Sequence, residues 1–513
     1  SPNVDITLTI NFIEISGEVH IGSESCLHQG KVHVIFEGKF GDFPTKGKGI
    51  TVKSGGTLEV HGKRKLSWTK LNGTLPKLTK SNGILYDHSV DGPNDTNIWM
   101  DALVAYVFEI NARNLPVRKK FEVFGFYPWN YCERRDTLQN MITDLANNQV
   151  LMLSLRKNFI LDYSLSAVYN SFETLVFGGV TGTSKLRAVS NNTNAYAALV
   201  YKSSAGVEVR ETLTPPSRTG SLATADFSLW DKGLRFIVES STDADEPWTA
   251  HENFFIFNTS AAYPIITLID YVTTWEVGDR AVISSTDYDW NQAEEGTIME
   301  CSSCSNKQVR LDLPPHYTHW GDVEDGVVDM RAEVALLSRN IIFEGKMENS
   351  CYILNTSNPG NCGNFNYDTH GGHISFLRGF KNVRVEGTEL YHMGQQSDLG
   401  FYPFHFHMCN DTRNYTNKPY IKENSIHHTF ARCVTIHGTH GVLVKDNVCY
   451  LSLGHSYFLE DGGEKFNRFD GNLAIGTLRA KLILSDNDPA SFWITNPLNE
   501  LINNVGAGGQ GRG

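Results

Sequence analysis

At 513 residues the chain is too long for one ordinary hydrophobic core, so two to four packed units are expected. Hydrophobic residues make up 40%, aromatics 11% and charged residues only 20%, a balance that excludes long disordered tails and favours strands. The net charge of -12, with Lys and Arg scattered, argues against nucleic acid, which needs a concentrated basic face; the short run Lys63, Arg64, Lys65 reads as a solvated strand end.

In chain order, residues 1–95 alternate apolar and polar positions between glycine turns, as in Lys31-Val-His-Val-Ile-Phe36 and Thr57-Leu-Glu-Val-His61, which predicts an all-β unit. Residues 96–206 read as a compact α/β insert. Leu103 to Ile110 and Gln149 to Ser154 are predicted strands, and Asp136 to Leu145 has helical spacing. Residues 207–335 return to strands and lead into a repeat that occupies 336–513. Asn340-Ile-Ile-Phe-Glu-Gly345 reads like Asn382-Val-Arg-Val-Glu-Gly387. The runs from Val385, Ile421, Val444 and Phe469 place Thr388, Asn424, Asn447 and Asn472 at one register. Stacked amides that bond the rungs above and below are what a β-solenoid turn favours. The fold class expected is therefore mainly β, with a right-handed parallel β-helix. The glycine-rich end, Gly506 to Gly513, lacks a capping element, so the solenoid is expected to continue beyond it.

Asn-x-Ser/Thr sequons stand at Asn72, Asn94, Asn191, Asn258, Asn355, Asn410 and Asn414, a density that points to a secretory route. The nine cysteines agree: Cys301 with Cys304, and Cys351 with Cys362, have spacings that disulfides close, although a zinc reading of these four stays open. No apolar run approaches the ~18 to 20 residues of a membrane span.

His61-Gly-Lys-Arg-Lys-Leu-Ser-Trp-Thr-Lys-Leu71 resembles the end of a G8 domain. Ile283 to Tyr288, Asp329 to Val334, Asp368 to Ile374, Glu389 to Gln396, Tyr402 to His407, Ser425 to Thr429, Thr435 to Gly438 and Glu460 to Gly462 resemble, in order and spacing, the CEMIP and transmembrane protein 2 family of hyaluronan-degrading proteins. The α/β insert resembles that family's GG domain, although Lys120-Phe-Glu-Val123 departs from its pattern. The resemblance implies a G8 unit over 1–95, a GG-type insert over 96–206 and a β-helix over 336–513. It also implies cleavage of hyaluronan or a related glycosaminoglycan, a calcium requirement, and an extracellular setting, secreted or at the cell surface. Two other readings stay open: a non-catalytic hyaluronan-binding or adhesion ectodomain, and a fibrocystin-like surface protein.

Ten of the 18 histidines lie between His370 and His455. Aligning Phe404-His-Phe-His407, Val434-Thr-Ile-His437 and Tyr457-Phe-Leu-Glu460 puts Phe404, Phe406, Val434, Ile436, Tyr457 and Leu459 inside. His405, His407, Thr435, His437, Phe458 and Glu460 then share the outer face. His407, His437 and Glu460 form one column with rungs ~4.8 Å apart, a set that can hold a divalent metal or act as acid and base on a sugar. The candidate catalytic residues are His407, His437, Glu460 and the adjoining Asp461, with His407, His437 and Glu460 as metal ligands. His405, His392 and His373 are the candidate substrate-binding histidines. The plainer alternative is a solenoid face whose polar residues bond one another, as expected for His427, His428 and His440.

Overall fold

The computed structural model describes residues 4–38, 47–91, 103–124, 131–155, 166–177, 184–188, 195–214, 222–242, 250–347, 369–396, 399–480 and 484–511. Contacts divide the chain into two units, Ser1–Lys77 with Pro264–Gly513, and Leu78–Tyr263.

The first unit is built on a three-sided parallel β-helix. Each rung contributes one strand to each of three sheets, so neighbouring rungs pair in parallel and in register. The rungs begin at the N-terminus: Ile6–Ile10, Phe12–Ile15 and Glu18–Ile21 make the first, and Val32–Phe36, Gly49–Val52 and Thr57–His61 the second. The chain then leaves the solenoid and rejoins it at Ile341–Gly345, which pairs directly with Val32–Phe36. A six-stranded sheet formed by Trp68–Lys70 and strands between Ile265 and Leu336 belongs to the same unit.

The G8-like segment is thus the opening of the β-helix, because its alternating apolar residues Val32, Val34, Ile50, Val52, Leu58 and Val60 enter the same interior as Phe376, Phe406 and Ile436. The two similar runs, Asn340 to Gly345 and Asn382 to Gly387, fall on different sheets. Ile341–Gly345 lies in the first sheet beside Thr388–Tyr391, whereas Asn382–Glu386 lies in the third between Thr57–His61 and Tyr420–Lys422. Both runs bury two apolar residues two positions apart, Ile341 with Phe343 and Val383 with Val385, which is why sequence alone equates them.

The asparagine register is continuous. Asn424 Nδ2 donates to Asn447 Oδ1 at 3.0 Å, Asn447 Nδ2 to Asn472 Oδ1 at 2.9 Å, and Asn472 Nδ2 to Asn504 Oδ1 at 3.0 Å, while Thr388 N donates to Asn424 Oδ1. Asn447 is wholly buried, and also donates to Ile421 O and accepts from Asn424 N. Replacing Asn447 by Ala orphans polar groups above and below it, so chemical denaturation should show a loss of about 3 kcal/mol.

In the second unit, helices Tyr131–Thr143 and Ser166–Phe177 pack Leu138, Met141, Ile142 and Phe172 on one face of a five-stranded antiparallel sheet. The opposite face meets a four-stranded sheet through Tyr106, Phe108, Phe236 and Phe254. The insert therefore runs past the boundaries read at 96 and 206. Gly206–Leu213 is the hairpin partner of Tyr196–Ser203, and Ile84–Asp87 pairs with Ala250–Asn258.

Cys301 and Cys304 form a disulfide. A second, between Cys433 and Cys449, joins two interior positions of one rung and its successor. Cys351 and Cys362 lie outside the described residues, as do the sequons at Asn94, Asn191 and Asn355; Asn72, Asn258, Asn410 and Asn414 are exposed. No helix among the described residues is long and apolar enough to cross a membrane.

Candidate active site

The second sheet stacks Phe12–Ile15, Gly49–Val52, His373–Leu377, Phe404–Asp411, Val434–His440, Tyr457–Leu459 and Phe492–Trp493. Strand alternation sends Phe404, Phe406, Val434, Ile436, Tyr457 and Leu459 into the core. The ladder pairs His405 with Thr435 and then Phe458, and His407 with His437. Met408 and Gly438 follow the two histidines with left-handed φ of 54° and 51°, and the register shifts between His407 and Asn410. This local bulge breaks the flat pleat and re-aims the side chains before it. A Cβ at Gly438 would fall 2.5 Å from Met408 Sδ, so a larger residue there must both displace that thioether and hold a left-handed φ. The buried Glu464 fixes the adjoining turns, its Oε1 accepting from Gly438 N at 2.9 Å and Asp461 N at 3.1 Å.

His405, 3% exposed, has Nδ1 2.8 Å from Gly400 O. A carbonyl only accepts, so Nδ1 carries the proton and Nε2 keeps its lone pair. That Nε2 is buried with no hydrogen-bond partner, and lies 3.9 Å from Glu460 Oε2, itself buried and without one. His437 Nε2 stands 3.0 Å from Asp461 Oδ2, which assigns its proton to Nε2 and leaves the lone pair on Nδ1. His437 Nδ1 is 3.2 Å from His407 Nδ1 and 3.6 Å from Glu460 Oε2. One ligand atom from each of His405, His407 and His437 falls within 4.8 Å of the others. Three imidazoles, two carboxylates and no apolar side chain between them can bind a cation or exchange protons with a sugar.

Burial presses His405 down to about 3 and lowers His407, in both cases with help from neighbouring imidazoles. Burial raises Glu460, with His437 and Arg432 opposing it. Arg432 supports the centre from beneath: Nη1 donates to Tyr402 at 3.0 Å, the guanidinium lies 3.9 Å from the Phe458 ring centroid, and Glu460 Oε1 is 3.8 Å away.

A cavity of about 290 Å³ adjoins the histidines on one side, lined by Lys53, His373, Leu399, Phe401, His405 and His407 among others. Beyond Glu460 on the other side, Trp493 is 43% exposed with its ring 6.4 Å from Phe458 and 5.1 Å from His455. The outer face is therefore a track across the rungs, running from the cavity past the histidines to an aromatic platform.

The structure brings together His405, His407, His437, Glu460 and Asp461, with His373 one rung away and held to about 4 by burial. His392 is elsewhere: it follows Thr388–Tyr391 in the first sheet, its ring 3.7 Å from that of Tyr391. His427 and His428 also sit on the first sheet, bonded to each other and to Glu389 and Glu295. Sequence reading placed His405 among substrate contacts and did not see that its free nitrogen points at the His407–His437 pair. The His-x-His spacing was the available signal. Arg432, Glu464 and the Cys433–Cys449 disulfide had none, because each joins residues through a loop or turn whose path the sequence does not reveal.

Residues 369–513 match the family model for the CEMIP beta-helix, and residues 1–72 match the G8 domain. The chain is 34% identical over its whole length to "Cell surface hyaluronidase" of Danio rerio, of which it spans 38%. It is 33% identical over 96% of its length to "Cell surface hyaluronidase CEMIP2" of Homo sapiens, spanning 36% of that protein. With the human "Cell migration-inducing and hyaluronan-binding protein" it shares 32% identity over 98% of its length, spanning 44% of that relative. Both family matches fall on the β-helix just described, one on its opening rungs and the other on the rungs that carry the histidine face. The chain thus carries a G8 domain and a CEMIP β-helix, and along its whole length it is similar to the CEMIP proteins and the cell surface hyaluronidases among them.

Proposed function

We propose that the chain cleaves hyaluronan, as an endo-acting hydrolase in an extracellular setting, at the outer face of the second sheet. The observation that carries this reading is the placing of Glu460 Oε2 and Asp461 Oδ2 3.6 and 3.0 Å from opposite nitrogens of His437, on a track that continues into a cavity and an aromatic platform. The names of the relatives, two of them cell surface hyaluronidases, support the substrate.

Hydrolysis of a glycosidic bond uses two carboxyl groups. Glu460, which burial pushes toward its protonated form, gives a proton to the leaving oxygen as the bond from that oxygen to the anomeric carbon breaks. Asp461, at the open edge, takes a proton from the water whose oxygen forms the new bond to that carbon. His437 lies between the two and holds Asp461 through Nε2. The exposed Trp493 offers a stacking surface for a sugar ring, while Lys53 in the cavity is paired with Glu14 at 2.7 Å.

Calcium does not fit this centre. It takes six to eight oxygen ligands, whereas the donors gathered here are mainly imidazole nitrogens; no step is routed through it. The test is to incubate the purified chain with long hyaluronan and follow polymer length. Shortening by the parent protein and not by Glu460→Gln supports the reading, and equal shortening by both removes the site from the chemistry.

A further inference from the structure

His405 Nε2, His437 Nδ1 and Glu460 Oε2 all present lone pairs to one small volume. The neighbours favour these tautomers: Gly400 O accepts from His405 Nδ1, and Asp461 Oδ2 lies 3.0 Å from His437 Nε2. His407 Nδ1, 3.2 Å from His437 Nδ1, faces the same volume. Acceptors turned on one another repel unless a proton or a cation stands between them, and a buried acceptor left unsatisfied costs free energy. His405 Nε2 is such an acceptor, on a side chain almost wholly removed from solvent.

We propose that His405, His407 and His437 bind a divalent ion of the zinc class, with its fourth position open to the groove beside Glu460. Ligand bonds of ~2.1 Å in a tetrahedral site put donor atoms ~3.4 Å apart. The 3.2 Å between His407 and His437 matches such an edge, and none of the three histidine donors is farther than 4.8 Å from another. Nitrogen donors select a borderline first-row ion over calcium or magnesium. The surroundings have the form that metal-binding histidines adopt, the second ring nitrogen donating to a carbonyl at His405 and to a carboxylate at His437. Glu460 Oε2, 3.6 Å from one ligand nitrogen and 3.9 Å from another, stands where it hydrogen-bonds a water on the ion. Bound there, such an ion would make a coordinated water acidic near neutral pH.

This chemistry rests on the hyaluronan-cleaving reading, but the ion itself does not, and the two are measured separately. The whole chain, purified without added metal, is assayed for bound metals by elemental mass spectrometry. It is then stripped with a chelator and titrated with zinc or with calcium while its melting temperature is followed. The expected result is one zinc-class ion per chain, a Tm raised by about 2 °C or more on adding zinc but not calcium, and loss of both effects in His407→Ala and His437→Ala. These two side chains are partly exposed, so the variants should fold; cooperative melting of the stripped variants near the stripped parent verifies it. Absence of any bound ion together with no response to zinc overturns the proposal. So does a response to calcium alone, or zinc retained at full occupancy by both variants. A chain that holds one zinc and leaves hyaluronan intact refutes the proposed function and leaves the metal centre standing.

Discussion

Replacing Arg432 by Met should destabilise the protein by about 3 to 5 kcal/mol, the range for removing one partner of a buried ion pair. Arg432 is 2% exposed and Asp486 is fully buried. The guanidinium donates from Nε and Nη2 to Asp486 at 2.7 to 3.1 Å, from Nη2 to Ser485 Oγ and from Nη1 to the Tyr402 hydroxyl. Methionine fills much of the volume but takes the guanidinium from the buried Asp486 charge, which keeps Ser485 Oγ at 3.3 Å and His455 Nε2 at 3.6 Å. Denaturant unfolding measures the loss. The double variant Arg432→Met with Asp486→Leu should recover part of it, since removing both charges also removes the unpaired one. The effect should reach the site as well, because the same guanidinium supports Tyr402, whose ring lies 4.9 Å from that of His405, and Phe458.

Changing Glu460 to Gln should lower hyaluronan cleavage by about 100-fold or more, the range for removing a general acid or base. That corresponds to about 2.7 kcal/mol of transition-state stabilisation. Folding should change little. The Glu460 side chain is one quarter exposed, its Oε2 has no hydrogen-bond partner, and Gln keeps its shape. A face that only scaffolds the solenoid predicts the reverse, with a lower melting temperature and unchanged cleavage. His437→Ala separates the two in the same way, with a fall of 10-fold or more expected for a residue that lies between the two carboxyl groups and holds Asp461. Cleavage rates and melting curves on the three proteins, taken side by side, decide which pattern holds.

The parts of this fold that repeat were legible in the sequence. Strand alternation in Phe404-His-Phe-His407 and Val434-Thr-Ile-His437 is enough to set inside from outside, and Asn424, Asn447 and Asn472 fix which residues stack. Hence the outer column of His407 and His437 could be read before any coordinates. What sequence does not carry is the path of the chain between rungs. The solenoid opens with residues 6–61 and resumes at 341, and nothing local to either stretch says that Val32 and Ile341 are neighbours. For the same reason Asp486, 54 residues from Arg432, was invisible as its partner. His392 was assigned to the site because it lies among the other histidines along the chain. A three-sided rung sends each third of its residues to a different sheet, and His392 belongs to the first. The role of His405 was missed for a finer reason, since only the Gly400 carbonyl shows which of its nitrogens is free.

On the proposed reading, hyaluronan is cut at the outer face of the second sheet. The most direct test is the structure of Glu460→Gln, slowed in turnover, with a bound hyaluronan oligosaccharide. The sugar chain should run across the rungs from the cavity beside Phe401 and His405 to Trp493, with the substituted amide at position 460 facing one glycosidic oxygen and Asp461 on the side of the anomeric carbon. An oligosaccharide bound instead in the separate cavity of about 670 Å³ lined by Trp68, Tyr271, Arg331 and Lys445, with the histidine face bare, would contradict it.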